Sequence, residues 1–143
     1  MEKFMKSYEA QTYALLRMVT GFLFLFHGSR WLIGFPGGGE PFVGPWHIVY
    51  IAAPILLFGG LLVCIGFYTR WAAFLSSGLM ACAYWMAYGK KAFVVPADGG
   101  ETSILMLLPY LNKGELATMF CFAFLFIASR GSGIWSVDSA RSK

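Results

Sequence analysis

IVYIAAPILLFGGLLVCIGFY runs from Ile48 to Tyr68 and contains no charged side chain. A helix that crosses a bilayer needs about 20 consecutive, mostly apolar residues, and this stretch supplies them. Pro54 lies near its start, where the incomplete first turn of a helix tolerates proline. The stretch therefore predicts a membrane-spanning helix.

Three further apolar stretches accompany this one, at about 11–33, 71–88 and 115–129. Arg70 leaves only a very short loop before the third stretch, so the helices of 48–68 and 71–88 should run antiparallel. We expect the whole chain to form one all-α membrane domain, an antiparallel bundle of four transmembrane helices.

Two connecting segments have their own character. The sequence GFPGGGEPFVGPW (Gly34–Trp46) is so rich in glycine and proline that it predicts a turn-laden loop. Residues 103–111 are apolar but too short to cross a bilayer, and Pro109 interrupts them. We interpret them as a short interfacial segment before the last helix; a re-entrant piece and a kinked last helix remain alternatives.

The composition agrees with a membrane protein. Hydrophobic residues make up 58% of the 143 residues and charged residues 13%, where about 25% charged is usual in soluble domains. The net charge of +4 raises the question of nucleic acid, but the basic residues are scattered singly at the ends of apolar stretches. We expect lipid and other membrane-protein subunits as partners, not nucleic acid, and leave homo-oligomerisation open.

Four crossings place both termini on one side of the membrane. That side carries more basic residues than the other, which predicts cytoplasmic termini. The apolar run Val19–Phe26 follows basic residues as in a signal peptide, but no small-residue cleavage site follows it, so we expect the first span to be retained.

Four ionisable residues lie within or at the rims of the predicted spans: Arg17, His27, Arg30 and Glu115. A charge in hydrocarbon costs about 2.5–3.5 kcal/mol on insertion scales, so such residues usually serve a structure or a site. Helical rise separates Arg17 and His27 by about 15 Å in depth, which disfavours an Arg17–Glu115 pair. Glu115 should instead meet His27 or Arg30.

Depth thus sorts the charges into two layers. The outer trio of His27, Arg30 and Glu115 is our candidate site for a polar headgroup, a quinone carbonyl or a proton. The inner layer contains Arg17, Arg70 and Arg130, which we expect to be structural charges within the membrane or at its rim. The alternative, in which the trio too provides only interhelical hydrogen bonds and caps, stays open.

Metal and thiol chemistry find little support. His27 and His47 lack a third ligand, so no metal site is predicted, although one such pair could ligate a haem. Cys64, Cys82 and Cys121 are single residues on three different spans, whereas a quinone-coupled thiol oxidoreductase needs a closely spaced dithiol. We therefore expect no catalytic centre of the chain's own.

Small residues indicate which helix faces meet. Gly59 and Gly60 on the second span, and Ala73, Ser77 and Ala81 on the third, allow close backbone approach. On the first span, one stripe contains Arg17, Gly21, Phe24 and Gly28. On the fourth, the predicted inward stripe contains Glu115, Thr118, Met119, Phe122, Phe126 and Ser129.

Four segments in order resemble the DoxX family of small four-helix bacterial membrane proteins. They are LLRMVTGFLFLFHG (Leu15–Gly28), LLFGGLLVCIGFYTR (Leu56–Arg70), NKGEL (Asn112–Leu116) and SRGSGIWSVD (Ser129–Asp138). The family pattern usually reads Asn-Gly-Gly-Glu-Leu, so Lys113 stands where glycine is usual. In the closing segment, Ser132 and Val137 replace the usual proline and leucine.

The resemblance implies a multi-pass protein of the bacterial inner membrane. Some members of the family look like subunits of a thiosulfate:quinone oxidoreductase, and others look like membrane partners of redox enzymes. The resemblance implies a similar role for this chain. Our leading hypothesis is an integral membrane accessory or interaction subunit of a larger redox assembly, with no cofactor of its own. The alternative is a quinone-handling subunit, in which Lys90, Lys91 and Lys113 would steer thiosulfate toward the outer trio.

Overall fold

The structure is a computed structural model that describes residues 2–37, 44–46, 48–93 and 104–142. Within those residues the protein is all-helical, as predicted, and contains no strand. Residues 38–43 of the predicted glycine-rich loop and the first residue of the predicted interfacial segment lie outside the described residues.

The helices fall in the order that the apolar stretches predicted. The α-helices are α1 (Glu2–Ser7), α2 (Glu9–Ile33), α3 (Gly60–Ile65), α4 (Thr69–Ala83), α5 (Pro109–Asn112), α6 (Glu115–Arg130) and α7 (Val137–Arg141). Between them lie π-helical turns at Ile48–Ala52, Ile55–Gly59 and Tyr84–Tyr88, and 3₁₀ turns at Gly89–Ala92 and Ile104–Leu107.

The termini of the long helices follow ordinary capping rules. Glu9 lies in the first turn of α2, where a carboxylate is favourable, and α2 ends at Gly34, whose left-handed backbone (φ 70°) donates its N–H to the Arg30 carbonyl. Glu115 and Arg130 occupy the first and last turns of α6, in the order the helix dipole favours.

The uncharged stretch 48–68 is not one regular α-helix. It consists of two π-helical turns followed by α3. Helix α3 ends at Ile65 and is capped by Gly66, which adopts φ 73°. Pro54 stands between the two π-helical turns, where its missing N–H removes a helical hydrogen bond. Among the described residues, no helix has both the length and the apolar character that crossing a bilayer requires.

The glycine stripe of α2 packs directly on the backbone of residues 55–65, as predicted. A Cβ at Gly21 would lie 2.5 Å from the Cys64 amide nitrogen, and one at Gly60 would lie 2.4 Å from the Leu25 amide nitrogen. Real Cβ atoms are never this close to backbone atoms, so these glycines allow the two segments to approach as no other residue would.

Helices α4 and α6 run in opposite directions and are linked at two levels. The Ser77 hydroxyl donates to the Cys121 carbonyl at 2.8 Å, and the Arg70 guanidinium donates to the Ser129 carbonyl at 2.9 Å. The core beside them is aromatic, because the Phe24 ring packs on Phe124 with centroids 4.6 Å apart.

The predicted inward stripe of the last helix is wrong. The buried residues of α6 are Ala117, Phe120, Phe124 and Ile127, whereas Met119 and Phe122 are 69% and 65% exposed. Every face of this helix is apolar, so hydrophobicity does not distinguish the packed face from the outer one. The prediction relied on polar Glu115 and Ser129 facing the centre, and both are exposed.

Candidate functional site

Arg17 is completely buried at the end of the molecule where the chain leaves α6. Its Nη1 donates to the Ser132 carbonyl and its Nη2 to the Trp135 carbonyl, each at 2.7 Å. Its Nε has no hydrogen-bond partner among the described residues. The guanidinium therefore fastens the segment after α6 to the first long helix.

Gly66 makes room for this guanidinium. A Cβ at Gly66 would lie 2.0 Å from Arg17 Nη1 and 2.4 Å from the Ser136 Cβ, and the φ of +73° would itself strain other residues. The turn that ends α3 is thus shaped around Arg17. Arg17 lies at the same end of the molecule as Arg70 and Arg130.

Asp138 caps the start of α4, a role that sequence reasoning missed. Its carboxylate accepts hydrogen bonds from the Tyr68 and Thr69 amides, each at 3.0 Å, and from the Thr69 hydroxyl at 2.9 Å. Burial raises the pKa of Asp138, but these hydrogen bonds and the charge of Arg141 outweigh it and hold the pKa below its ordinary value. Nothing in the segment SRGSGIWSVD (Ser129–Asp138) indicates which residues Asp138 caps.

The two remaining inner arginines connect the last turn of α6 with α4 and α2. Arg70 donates to the Ser129 carbonyl, and Arg130 forms an ion pair with Glu9. The hydrogen bond and the charge of Arg130 hold the pKa of the Glu9 carboxyl below its ordinary value. Arg130 also lies over the ring of Tyr13, 4.9 Å from its centroid. Tyr13 in turn donates its hydroxyl to the Gly131 carbonyl.

At the opposite end, His27 and Arg30 line one cleft of about 680 Å³ between α2 and α6. Its walls are mainly apolar and include Trp31 and Phe120. His27 and Arg30 are both exposed, so their polar groups are accessible from outside.

Glu115 lies at the same end but does not join these two residues. It is exposed, its neighbour Leu116 rather than Glu115 lines the cleft, and no ion pair connects it with His27 or Arg30. The structure thus brings together two of the three predicted outer residues. His47, the other histidine considered, lies outside the described residues.

The cysteines remain apart. Cys64, Cys82 and Cys121 are free thiols, and Cys121 lies 3.6 Å from the Ser77 hydroxyl. Within the described part of the chain, no three His, Cys, Asp or Glu side chains are grouped as metal ligands would be.

Comparison with known proteins gives the class of protein. Residues 12–89 match the DoxX family, so the chain belongs to that family, as its motifs indicated. It is 31% identical over 138 residues to an uncharacterized protein of Haemophilus influenzae, covering 94% of each chain. It is also 27% identical over 136 residues to a Bacillus subtilis protein named "Putative oxidoreductase CatD", covering 93% of this chain and 88% of that one. No solved structure matches this chain.

The two ends therefore offer different chemistry. At the inner end, the charged groups of Arg17, Arg70 and Asp138 are directed to the main chain of this protein itself. At the outer end, an imidazole and a guanidinium stand exposed at an apolar cleft. Of the predicted outer trio, His27 and Arg30 are therefore the two residues placed to meet a ligand.

Proposed function

We propose that this protein is an integral, multi-pass subunit of the bacterial inner membrane that docks onto a larger redox assembly and has no catalytic centre of its own. Its long helices would form a four-helix transmembrane bundle with both termini in the cytoplasm. Family membership and the name of the Bacillus subtilis relative support a redox-associated membrane role.

The observation that carries the proposal is the outward face of the helices. Large apolar side chains stand more than 50% exposed on α2, α4 and α6, and they include Phe22, Phe74 and Phe122. A soluble monomer rarely exposes apolar patches of this extent, whereas lipid or a partner helix would cover them. The composition, at 58% hydrophobic, agrees.

The inner charges support an accessory role in a second way. Both terminal nitrogens of Arg17 and both carboxylate oxygens of Asp138 bind groups of the same molecule, most of them main-chain, and groups used in this way are not free to act on a substrate. These hydrogen bonds fix the segment after α6 against α2 and α4, and a rigid surface of this kind suits a docking subunit.

Native membranes provide the test. We expect the protein to resist extraction by alkaline carbonate and, after solubilisation in a mild detergent, to migrate with other subunits on native gels. Phe122→Ala on the exposed face of α6 should weaken that association, with Gly78→Ala on α4 as a control that meets no neighbour within 4 Å. Protein that always migrates alone would contradict the docking role.

A second candidate function is favoured by the outer cleft. His27 and Arg30 present hydrogen-bond donors beside aromatic walls, an arrangement suited to a quinone headgroup. Thiosulfate would supply the electrons, and a cofactor or a partner would have to carry them to the quinone, since the described residues hold no evident redox centre. In this case thiosulfate-dependent quinone reduction by membranes should fall when His27 is changed to Phe. Glu115→Gln, outside the cleft lining, should have the smaller effect. Activity that is unchanged by His27→Phe would exclude the role.

A further inference from the structure

A second cleft, of about 690 Å³, lies at the inner end where α1, α2 and α6 meet. Its apolar wall includes Met5, Leu16 and Phe126, which are 51%, 43% and 46% exposed. Its polar rim includes Lys6 and Arg130. An apolar wall beside a basic rim matches an amphiphile with an anionic head.

The Arg130 guanidinium is held in a fixed position at the cleft and keeps free N–H donors for an anionic head group. Its guanidinium lies over the Tyr13 ring, 4.9 Å from the centroid, and its Nη2 donates to Glu9. A guanidinium carries five N–H donors in a planar fork, so one bond to Glu9 leaves most of them for a phosphate. The side chains of Arg130 and Glu9 are 40% and 56% exposed, so their ion pair is of modest strength and a phosphate can compete with Glu9 for Arg130.

The position of the cleft agrees with a lipid. Short helix α1 exposes Phe4 beside Lys6, and Tyr8, directly after α1, is exposed as well. Such a mixture of aromatic and basic residues is typical of a membrane interface. With the predicted topology this end faces the cytoplasmic leaflet, whose anionic lipids attract basic residues.

We propose that this cleft binds an anionic phospholipid, with the phosphate between Lys6 and Arg130 and an acyl chain against Leu16 and Phe126. The proposal rests on the membrane location proposed above. Glu9 acts as a competing carboxylate that tunes the affinity, because it shares Arg130 with the phosphate.

The experiment measures lipid binding to the full-length protein in detergent by native mass spectrometry. The probes are phosphatidylglycerol and phosphatidylcholine with identical acyl chains. We expect phosphatidylglycerol to bind at least about fivefold more tightly, the factor that one basic residue near a membrane surface supplies. Lys6→Gln and Arg130→Gln should each remove much of this preference.

The matched control is Arg141→Gln. Arg141 is a basic residue near the same end, but it lies over the Phe67 ring and outside the cleft lining, so the preference should persist. A loss of the same size in Arg141→Gln would mean that general surface charge is responsible and would overturn the site.

Glu9→Gln gives a result of opposite sign. Removal of the competing carboxylate should tighten phosphatidylglycerol binding, whereas a purely structural Glu9–Arg130 pair predicts no gain. This variant keeps both basic residues and so tests the proposal even if Arg130→Gln folds poorly. Unchanged or weaker phosphatidylglycerol binding by Glu9→Gln would overturn the proposal that Glu9 and the lipid phosphate compete for Arg130.

Two further arms separate a lipid from a free anion. Leu16→Ser should weaken binding of the lipid, and glycerol phosphate at equal concentration should not displace it. Full displacement by glycerol phosphate would overturn the lipid assignment. Equal binding of the two lipids would overturn this site while leaving co-migration with a partner untouched. Extraction by carbonate would instead overturn the membrane location.

Discussion

Arg17 Nη2 donates a 2.7 Å hydrogen bond to the main-chain carbonyl of Trp135, 118 residues further along the chain. The acceptor is backbone, and Trp135 itself adopts a left-handed conformation (φ 55°) that bulky residues rarely adopt. The guanidinium therefore holds a strained segment against the first long helix.

Arg17→Ala should destabilise the protein by about 3 kcal/mol, because two charge-assisted hydrogen bonds are lost and two carbonyls are left without their donor. The measurement is the free energy of unfolding in mixed detergent micelles, together with proteolysis, which should now cleave within 131–138. Trp135→Ala is the control: its side chain is 60% exposed and its carbonyl stays in place, so we expect little change. Equal losses in both variants would contradict the role of the carbonyl.

Asp138 predicts a dependence of stability on pH. Its folded-state pKa lies below the ordinary value, so it stabilises the protein fully above about pH 4, the ordinary pKa of aspartate, and the contribution is lost as the pH falls through the folded-state pKa. Asp138→Asn replaces one of two acceptor oxygens by an NH2 group that cannot accept from the backbone amides, so it should cost about 1–2 kcal/mol near neutral pH and flatten the acid side of the profile.

Glu9 titrates in the same direction, since its pKa is also lowered. Comparison of Asp138→Asn with Glu9→Gln separates the two contributions. If the acid loss of stability persists in full in Asp138→Asn and disappears in Glu9→Gln, the cap is not its source.

The close backbone contact between α2 and residues 55–65 can be tested by adding one methyl group. Gly60→Ala would place a Cβ 2.4 Å from the Leu25 amide nitrogen, so the segments must move apart and we expect a loss of about 2–3 kcal/mol. Gly78→Ala, also within a helix but with nothing within 4 Å, should gain about 0.5–1 kcal/mol. Thermal unfolding of the two variants in the same detergent gives the comparison. Similar shifts in both would contradict close packing.

The sequence predicted those features whose residue types carry the information. Gly21 and Gly60 could be identified because only small residues let helix backbones touch. Arg17 could be separated from His27 because helical rise sets the distance between them along the helix. The bonds of Arg17 were not legible, since main-chain carbonyls such as that of Trp135 have no signature in the sequence.

Helix α6 shows most clearly what the sequence could not predict, namely which face of an apolar helix is packed. Phe120 and Phe124 are buried while Phe122 is exposed, yet all three are the same residue type. In a helix that is apolar all round, the packed face is chosen by the shape of the neighbouring helices and not by polarity. Because the sequence does not show which face of α6 is packed, Glu115 was expected to contact His27 or Arg30. In the structure Glu115 is exposed and forms no ion pair with either.

Lys113 provides the last prediction, because it adopts φ 64° at the end of α5, where the related family pattern usually has glycine. A non-glycine residue in the left-handed conformation is strained by about 1–2 kcal/mol. Glycine removes this strain, but its greater conformational freedom in the unfolded chain offsets part of the gain in stability. Lys113→Gly should therefore stabilise the protein by about 0.5–1 kcal/mol. Lys113→Ala, which removes the charge but keeps the Cβ, should not stabilise it. Unfolding free energies of the two variants decide the cause: a gain in Lys113→Ala of the same size would show that charge, and not backbone conformation, limits stability at this turn.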